Sequence, residues 1–62
     1  MIVSVYYDNK DLHWKNKNVT QIDVENGFMY CHYYKYGRMH CEKFCTKTHI
    51  IIIKPHLVQG ER

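Results

Sequence analysis

The sequence predicts an all-β domain: a single small antiparallel sheet of five or six strands, strongly curved, with a partly open SH3-like barrel as its closed form. Three observations carry this. Residues 20–44 contain two tight-turn signals, Asn26-Gly27 and Tyr36-Gly37, between runs that alternate apolar and polar. β-Branched and aromatic residues dominate and alanine is absent, so no stretch carries a helical apolar repeat. At 62 residues the chain makes one domain, 1–62, with a thin core and a short tail from about residue 56.

The first strand runs over residues 1–7, with Val3, Val5 and Tyr7 on one face. Asp8-Asn9-Lys10 turns the chain into a short return strand over residues 11–15 that carries Leu12 and Trp14 on a common side. Asn16-Lys17-Asn18 breaks it.

The third strand, Val19 to Glu25, alternates Thr20, Ile22 and Val24 against Gln21, Asp23 and Glu25. Asn-Gly is the pair that best tolerates two successive positive φ angles, so a type I′ turn at Asn26-Gly27 sets Glu25 across from Phe28, Val24 from Met29, Ile22 from Cys31 and Thr20 from Tyr33. At Tyr36-Gly37 two registers are open. A two-residue turn sets Tyr33 across from His40, Cys31 from Glu42 and Met29 from Phe44, whereas a bulge would turn Cys41 inward and Glu42 outward. The core face then reads Ile22, Val24, Met29, Cys31, Tyr33 and Phe44. The other face carries Gln21 and Asp23, then Phe28, Tyr30, His32 and Tyr34, with Met39, Cys41, Lys43 and Cys45.

Residues 45–49 connect to a last strand from His49 to Lys54, ended by Pro55. Four consecutive isoleucines at an open edge would be an aggregation hazard. The strand is therefore expected to lie centrally or to pair, with strand one or with its equivalent in a second chain, making a homo-oligomer through Ile50 to Ile53. In the tail, only Leu57 and Val58 have reason to pack.

The hairpin runs Tyr6-Tyr7-Asp8-Asn9, Lys17-Asn18-Val19-Thr20, Ile22 to Tyr30 and Tyr34 to His40 resemble the short all-β proteins of phages and prophages of Gram-positive bacteria. The resemblance covers most of the chain and implies a non-catalytic binding module acting on a host or phage macromolecule. It brings over no functional residue, and the three Cys and the extra His stand where such chains commonly have Val, Thr or charged residues.

The net charge of +3 is spread along the chain rather than gathered in a stripe. No basic and apolar leader opens the sequence and no apolar run is long enough to span a bilayer, which leads to an expectation of a cytoplasmic protein, in a bacterial host cell if phage-derived, with no membrane partner. An odd number of cysteines fits reduced thiols.

The leading functional reading is a protein-binding or regulatory module that occludes or modulates a target through an aromatic sheet face, with Trp14, Tyr30, His32, Tyr34 and Tyr36 as contacts and Arg38 as a rim or anchor charge. A second reading uses Phe28, Tyr30, Tyr34, Lys35, Arg38 and Lys43 to stack bases and hold phosphates of a single-stranded nucleic acid. A third is a small zinc-stabilised interaction domain with His32, Cys41, Cys45 and His49 as ligands, although their spacing matches no standard finger. No other cofactor is expected. An enzyme is not expected either. His32 and Cys41 with Asp23 form the one nucleophilic set, and cross-strand neighbours on an open sheet offer no pocket or oxyanion donors.

Overall fold

The computed structural model describes residues 1–55; the tail, with Leu57 and Val58, lies outside the described residues. Six strands are present: β1 (Ile2–Tyr7), β2 (Leu12–Asn16), β3 (Val19–Glu25), β4 (Phe28–Lys35), β5 (Arg38–Cys45) and β6 (His49–Lys54). All pairings are antiparallel. They form two three-stranded sheets, β2-β1-β6 and β3-β4-β5, and not the single curved sheet or partly open barrel expected from the sequence. A barrel needs ladders that join β2 to β3 or β5 to β6, and both connections turn the chain out of one sheet into the other. The Asn16 side chain accepts a hydrogen bond from the Asn18 amide at 2.7 Å, an Asx turn that ends β2. Residues 45–48 make the second corner, with the Thr46 amide on the Gly27 carbonyl at 2.9 Å. The sheets are tied where the Met1 and Val19 backbones meet: the Val19 N–H donates to the Met1 carbonyl at 3.1 Å and the Met1 nitrogen to the Val19 carbonyl at 2.7 Å.

Both short turns close with two residues. Asn26 and Gly27 have φ of 52° and 80°, and Tyr36 and Gly37 have φ of 55° and 71°, the paired left-handed conformations of type I′ turns. Of the two registers open at Tyr36-Gly37, the simple one holds: Lys35 faces Arg38, His32 faces Cys41 and Cys31 faces Glu42.

The core lies between the sheets. Val3 and Val5 come from one sheet, Val19, Met29, Cys31 and Phe44 from the other, with Met1, Trp14, Ile22 and Ile51 packed around them. Each such side chain contributes about 1.5–3 kcal/mol when fully buried, so a set this small leaves little margin. Glu42 shares the inner face with these residues and is tolerated because it sits at the rim, where the Tyr33 hydroxyl donates to its Oε2 at 3.1 Å.

Two bulges correct the expected faces. Thr20 is an extra residue between the pairs Val19–Tyr33 and Gln21–His32, so Val19 rather than Thr20 lies opposite Tyr33 and is buried. Its freed hydroxyl donates to the His32 carbonyl at 3.2 Å. In β2, His13 is extra between Val5–Trp14 and Tyr6–Leu12. Leu12 and Trp14 therefore separate: Trp14 turns inward opposite Val5, while Leu12 sits outside opposite Tyr6, largely exposed. Val24, expected in the core, is 66% exposed, because the end of β3 runs past the cover of the first sheet. The isoleucine strand does pair with β1, as expected, but as an edge strand and not a central one: Ile50, Ile52 and Ile53 remain exposed.

Candidate protein-binding face

The outer face of β3-β4-β5 is built by the even-numbered positions of β4. Phe28, Tyr30, His32 and Tyr34 point away from the buried Met29, Cys31 and Tyr33 because strand side chains alternate. The type I′ register then fixes their neighbours: Glu25, Asp23 and Gln21 on β3, and Cys45, Lys43, Cys41 and Met39 on β5.

The two flanks differ in charge. On the β3 side, Asp23 Oδ2 lies 2.9 Å from His32 Nε2 and the Gln21 amide donates to the same carboxylate oxygen at 3.2 Å, which fixes both groups. Beside them an open hollow of about 400 Å³ is lined by Asp23, Val24, Glu25, Tyr30 and His32. On the β5 side, Lys43 Nζ lies 4.2 Å from the Phe28 ring centre and 5.9 Å from that of Tyr30, a cation held over two aromatic faces. The face therefore has an acidic rim, an aromatic floor and one lysine already engaged with that floor.

The residues expected in the protein-binding set fall in three places. Tyr30, His32 and Tyr34 share the outer face, and Tyr34 is its most exposed ring at 62%. Tyr36 projects from the β4–β5 turn with Lys35 Nζ 5.3 Å from its ring, and Arg38 follows the turn, exposed. Trp14 is not part of the face. It packs between the sheets, 5.1 Å from the Phe44 ring and 5.8 Å from Tyr33, because the His13 bulge turns it inward. Of the nucleic-acid set, Phe28, Tyr30, Tyr34 and Lys43 lie on this face, whereas Lys35 and Arg38 oppose each other at the turn end, on the other side of the strand alternation.

The four residues expected to bind zinc do not converge. His32 pairs with Asp23 on the outer face, Cys41 is its cross-strand neighbour, and Cys45 lies at the far end of β5. His49 is on the opposite side, its Nδ1 3.1 Å from the Cys45 carbonyl and its ring stacked on His13 at 5.3 Å. Among the described residues, no group of three or more His, Cys, Asp or Glu side chains is placed to hold a metal ion. Asp23, His32 and Cys41 do follow one another across β3, β4 and β5, but the His32 bond goes to Asp23 and, among the described residues, none joins it to Cys41.

The chain matches no family model, no curated protein and no solved structure.

The thiols have distinct surroundings. Burial, then Cys41 and Glu42 nearby, push Cys31 up to about 11. Cys45 is drawn below its ordinary value, first by the Lys47 backbone N–H and then by the Thr48 hydroxyl. Burial, followed by its hydrogen bond to Glu42, raises the Tyr33 phenol.

Asp23 and Glu25, which line the hollow, stand in none of the three binding sets read from the sequence. The signal was present in the same alternation: in a two-residue turn at Asn26-Gly27 these carboxylates must stand beside Phe28 and Tyr30.

Proposed function

We propose that the domain is a non-catalytic protein-binding module that holds a segment of its target against the outer face of β3-β4-β5 and acts by occluding or modulating that target. The observation that carries this reading is the hollow in which Asp23 and Glu25 stand beside Tyr30 and His32. Such a site suits a basic side chain of a partner: the carboxylates accept its hydrogen bonds while the tyrosine packs along its stem or stacks on a guanidinium. Tyr34 next to it adds a rigid ring at small entropy cost. The hairpin resemblance to small phage and prophage proteins supports the same class of activity.

Nucleic-acid binding through this face is the less favoured reading, since a phosphate chain laid along the aromatics would run beside Asp23 and Glu25, and the one lysine there is Lys43. The test is selection from a random peptide library displayed at low stringency, with single-stranded oligonucleotides as a parallel arm. Enriched peptides should share Arg or Lys next to an aromatic residue. Glu25→Lys and Tyr34→Ala should each weaken the best peptide by about 10-fold or more without changing the fold. Failure to enrich any peptide, together with oligonucleotide binding that falls steeply with salt, would replace this reading with the nucleic-acid one.

A further inference from the structure

Among the described residues each sheet leaves two strand edges open, and three of the four edges are guarded in the way that blocks pairing. β3 carries Asp23, Glu25 and the Thr20 bulge, β5 carries Arg38, Glu42 and Lys43, and β2 carries Lys15 and the His13 bulge. β6 differs. From His49 to Ile53 it has no charged residue, no proline and no bulge, and its register with β1 is unbroken. We infer that β6 is a self-pairing edge: two copies of the chain join β6 to β6 about a two-fold axis at Ile51, making one six-stranded sheet of order β2-β1-β6-β6-β1-β2.

The register follows from the backbone. The Tyr7 N–H bonds to the Asp11 carbonyl, so the odd-numbered residues of β1 turn their polar groups to β2 and the even-numbered ones turn theirs to β6. Ser4 and Tyr6 face Ile52 and Ile50, which commits the even positions of β6 to β1. The N–H and C=O groups of His49, Ile51 and Ile53 are therefore the ones that point out of the sheet. Antiparallel partners related by a two-fold perpendicular to the sheet must present the same face. With the axis at Ile51, that residue meets its own copy and His49 meets Ile53, so all three outward residues are paired in about six ladder hydrogen bonds.

The side chains agree with this register. On the outer face Ile50 of one copy meets Ile52 of the other, and both are about two-fifths exposed in the single chain. They line an apolar hollow of about 250 Å³ with Tyr6 and Lys10, which the second copy would close. Lys54 meets Thr48, so no like charges are opposed directly. On the inner face Ile51 packs against the core while Ile53 is half exposed, so at that end of β6 the second sheet leaves room for the copy. A stable contact takes about a tenth of a small protein's surface from each partner, and on a chain of 4625 Å² a single strand seam lies at the low end of that scale. The dimer should accordingly depend on concentration.

This inference is independent of the proposed target face, which lies on the other sheet. Sedimentation velocity across about 10 µM to about 1 mM should show a monomer giving way to a dimer. The chain is short enough for total synthesis, and N-methylation of Ile51 removes the outward N–H at the axis while leaving every side chain in place. It should abolish dimer formation and preserve the monomer's circular dichroism. Ile52→Lys should weaken the dimer by about 10-fold or more. A mixture of Ile50→Lys with Ile52→Glu should pair better than either variant alone, because the register sets those positions opposite each other. A wild-type chain that stays monomeric throughout would overturn the inference and leave the edge to a strand of another protein. A folded N-methyl Ile51 chain that still dimerises would overturn it as well, and an unaltered dimer in Ile52→Lys would rule out the Ile51-centred register.

Discussion

Replacing Cys31 with alanine should flatten the alkaline limb of the domain's stability curve. Cys31 is fully buried between Ile22 and Glu42 in the middle strand, and its thiol is raised from 9.0 to about 11, chiefly by burial and then by Cys41 and Glu42. In the unfolded chain the thiol ionises near its ordinary value. A folded value above the unfolded one gives stability that is fully present below pH 9 and is lost as pH rises towards and through the folded value. With a shift of this size, linkage gives a loss of about 1.4 kcal/mol by pH 10 and about 2.3 kcal/mol by pH 11. That is a large part of what a domain this small can hold. Alanine removes the titrating group and adds a cavity cost, but that cost is the same at every pH and cancels when the two curves are subtracted. The raised Tyr33 phenol titrates in both proteins and cancels too. Urea titrations followed by Trp14 fluorescence at pH 8, 9 and 10, under reductant, should show the gap between wild type and Cys31→Ala closing by about 1 kcal/mol or more over this range. Parallel curves would refute the reasoning, since they would mean that the thiol ionises equally in both states and is not sealed between the sheets.

Three other outcomes follow from the packing. Phe44→Ala should cost about 3–5 kcal/mol and leave the chain largely unfolded at room temperature, because Phe44 is where Trp14, His13 and His49 of one sheet meet the other; a melting temperature lowered by only a few degrees would count against this. Tyr36→Asn should stabilise the domain by about 0.5–1 kcal/mol in chemical denaturation, since an exposed tyrosine held at φ 55° gives way to a residue that tolerates the left-handed region; lower stability would mean that the tyrosine ring makes a contact that matters. In timed alkylation of the native protein near neutral pH, peptide mapping should find Cys45 modified well before Cys31, because the Lys47 N–H and Thr48 hydroxyl favour the thiolate at the one while burial opposes it at the other; the reverse order would sink that assignment.

The sequence was most informative where chemistry is local. Asn26-Gly27 names its own turn type, and once Tyr36-Gly37 closes with two residues as well, the alternation of β4 fixes every pair from Phe28–Cys45 to Lys35–Arg38. What it could not show depends on tertiary packing. The bulges at His13 and Thr20 are single extra residues whose insertion is decided by which neighbour, Trp14 or Val19, fills the space between sheets. Val24 has the right alternation for a core position but lies past the end of the opposing sheet, a length relation that no strand reveals alone. The same holds for the split into two sheets. Periodicity says which face of a strand is apolar, while the Asx turn at Asn16-Asn18 decides that β2 and β3 part instead of pairing. On the site, the rings of β4 were legible as an exposed face. The acidic rim was not legible, because Asp23 and Glu25 look the same in sequence whether they border water or a hollow.

The order of the ladders bears on how the chain reaches this state. β1–β2, β3–β4 and β4–β5 each join neighbours along the sequence across short turns, so closing them costs little chain entropy. β1–β6 joins Ile2 to Lys54 and Tyr7 to His49, with nearly the whole domain looped between them. The strand with four consecutive isoleucines is thus the one whose partner is most remote. Until that ladder closes, both edges of the strand are open instead of one, and the same backbone groups that could pair with a second native chain are offered to any other unfinished copy. Yield on refolding should fall with protein concentration more steeply than the native contact area alone would suggest, and lysine at Ile52 should relieve it.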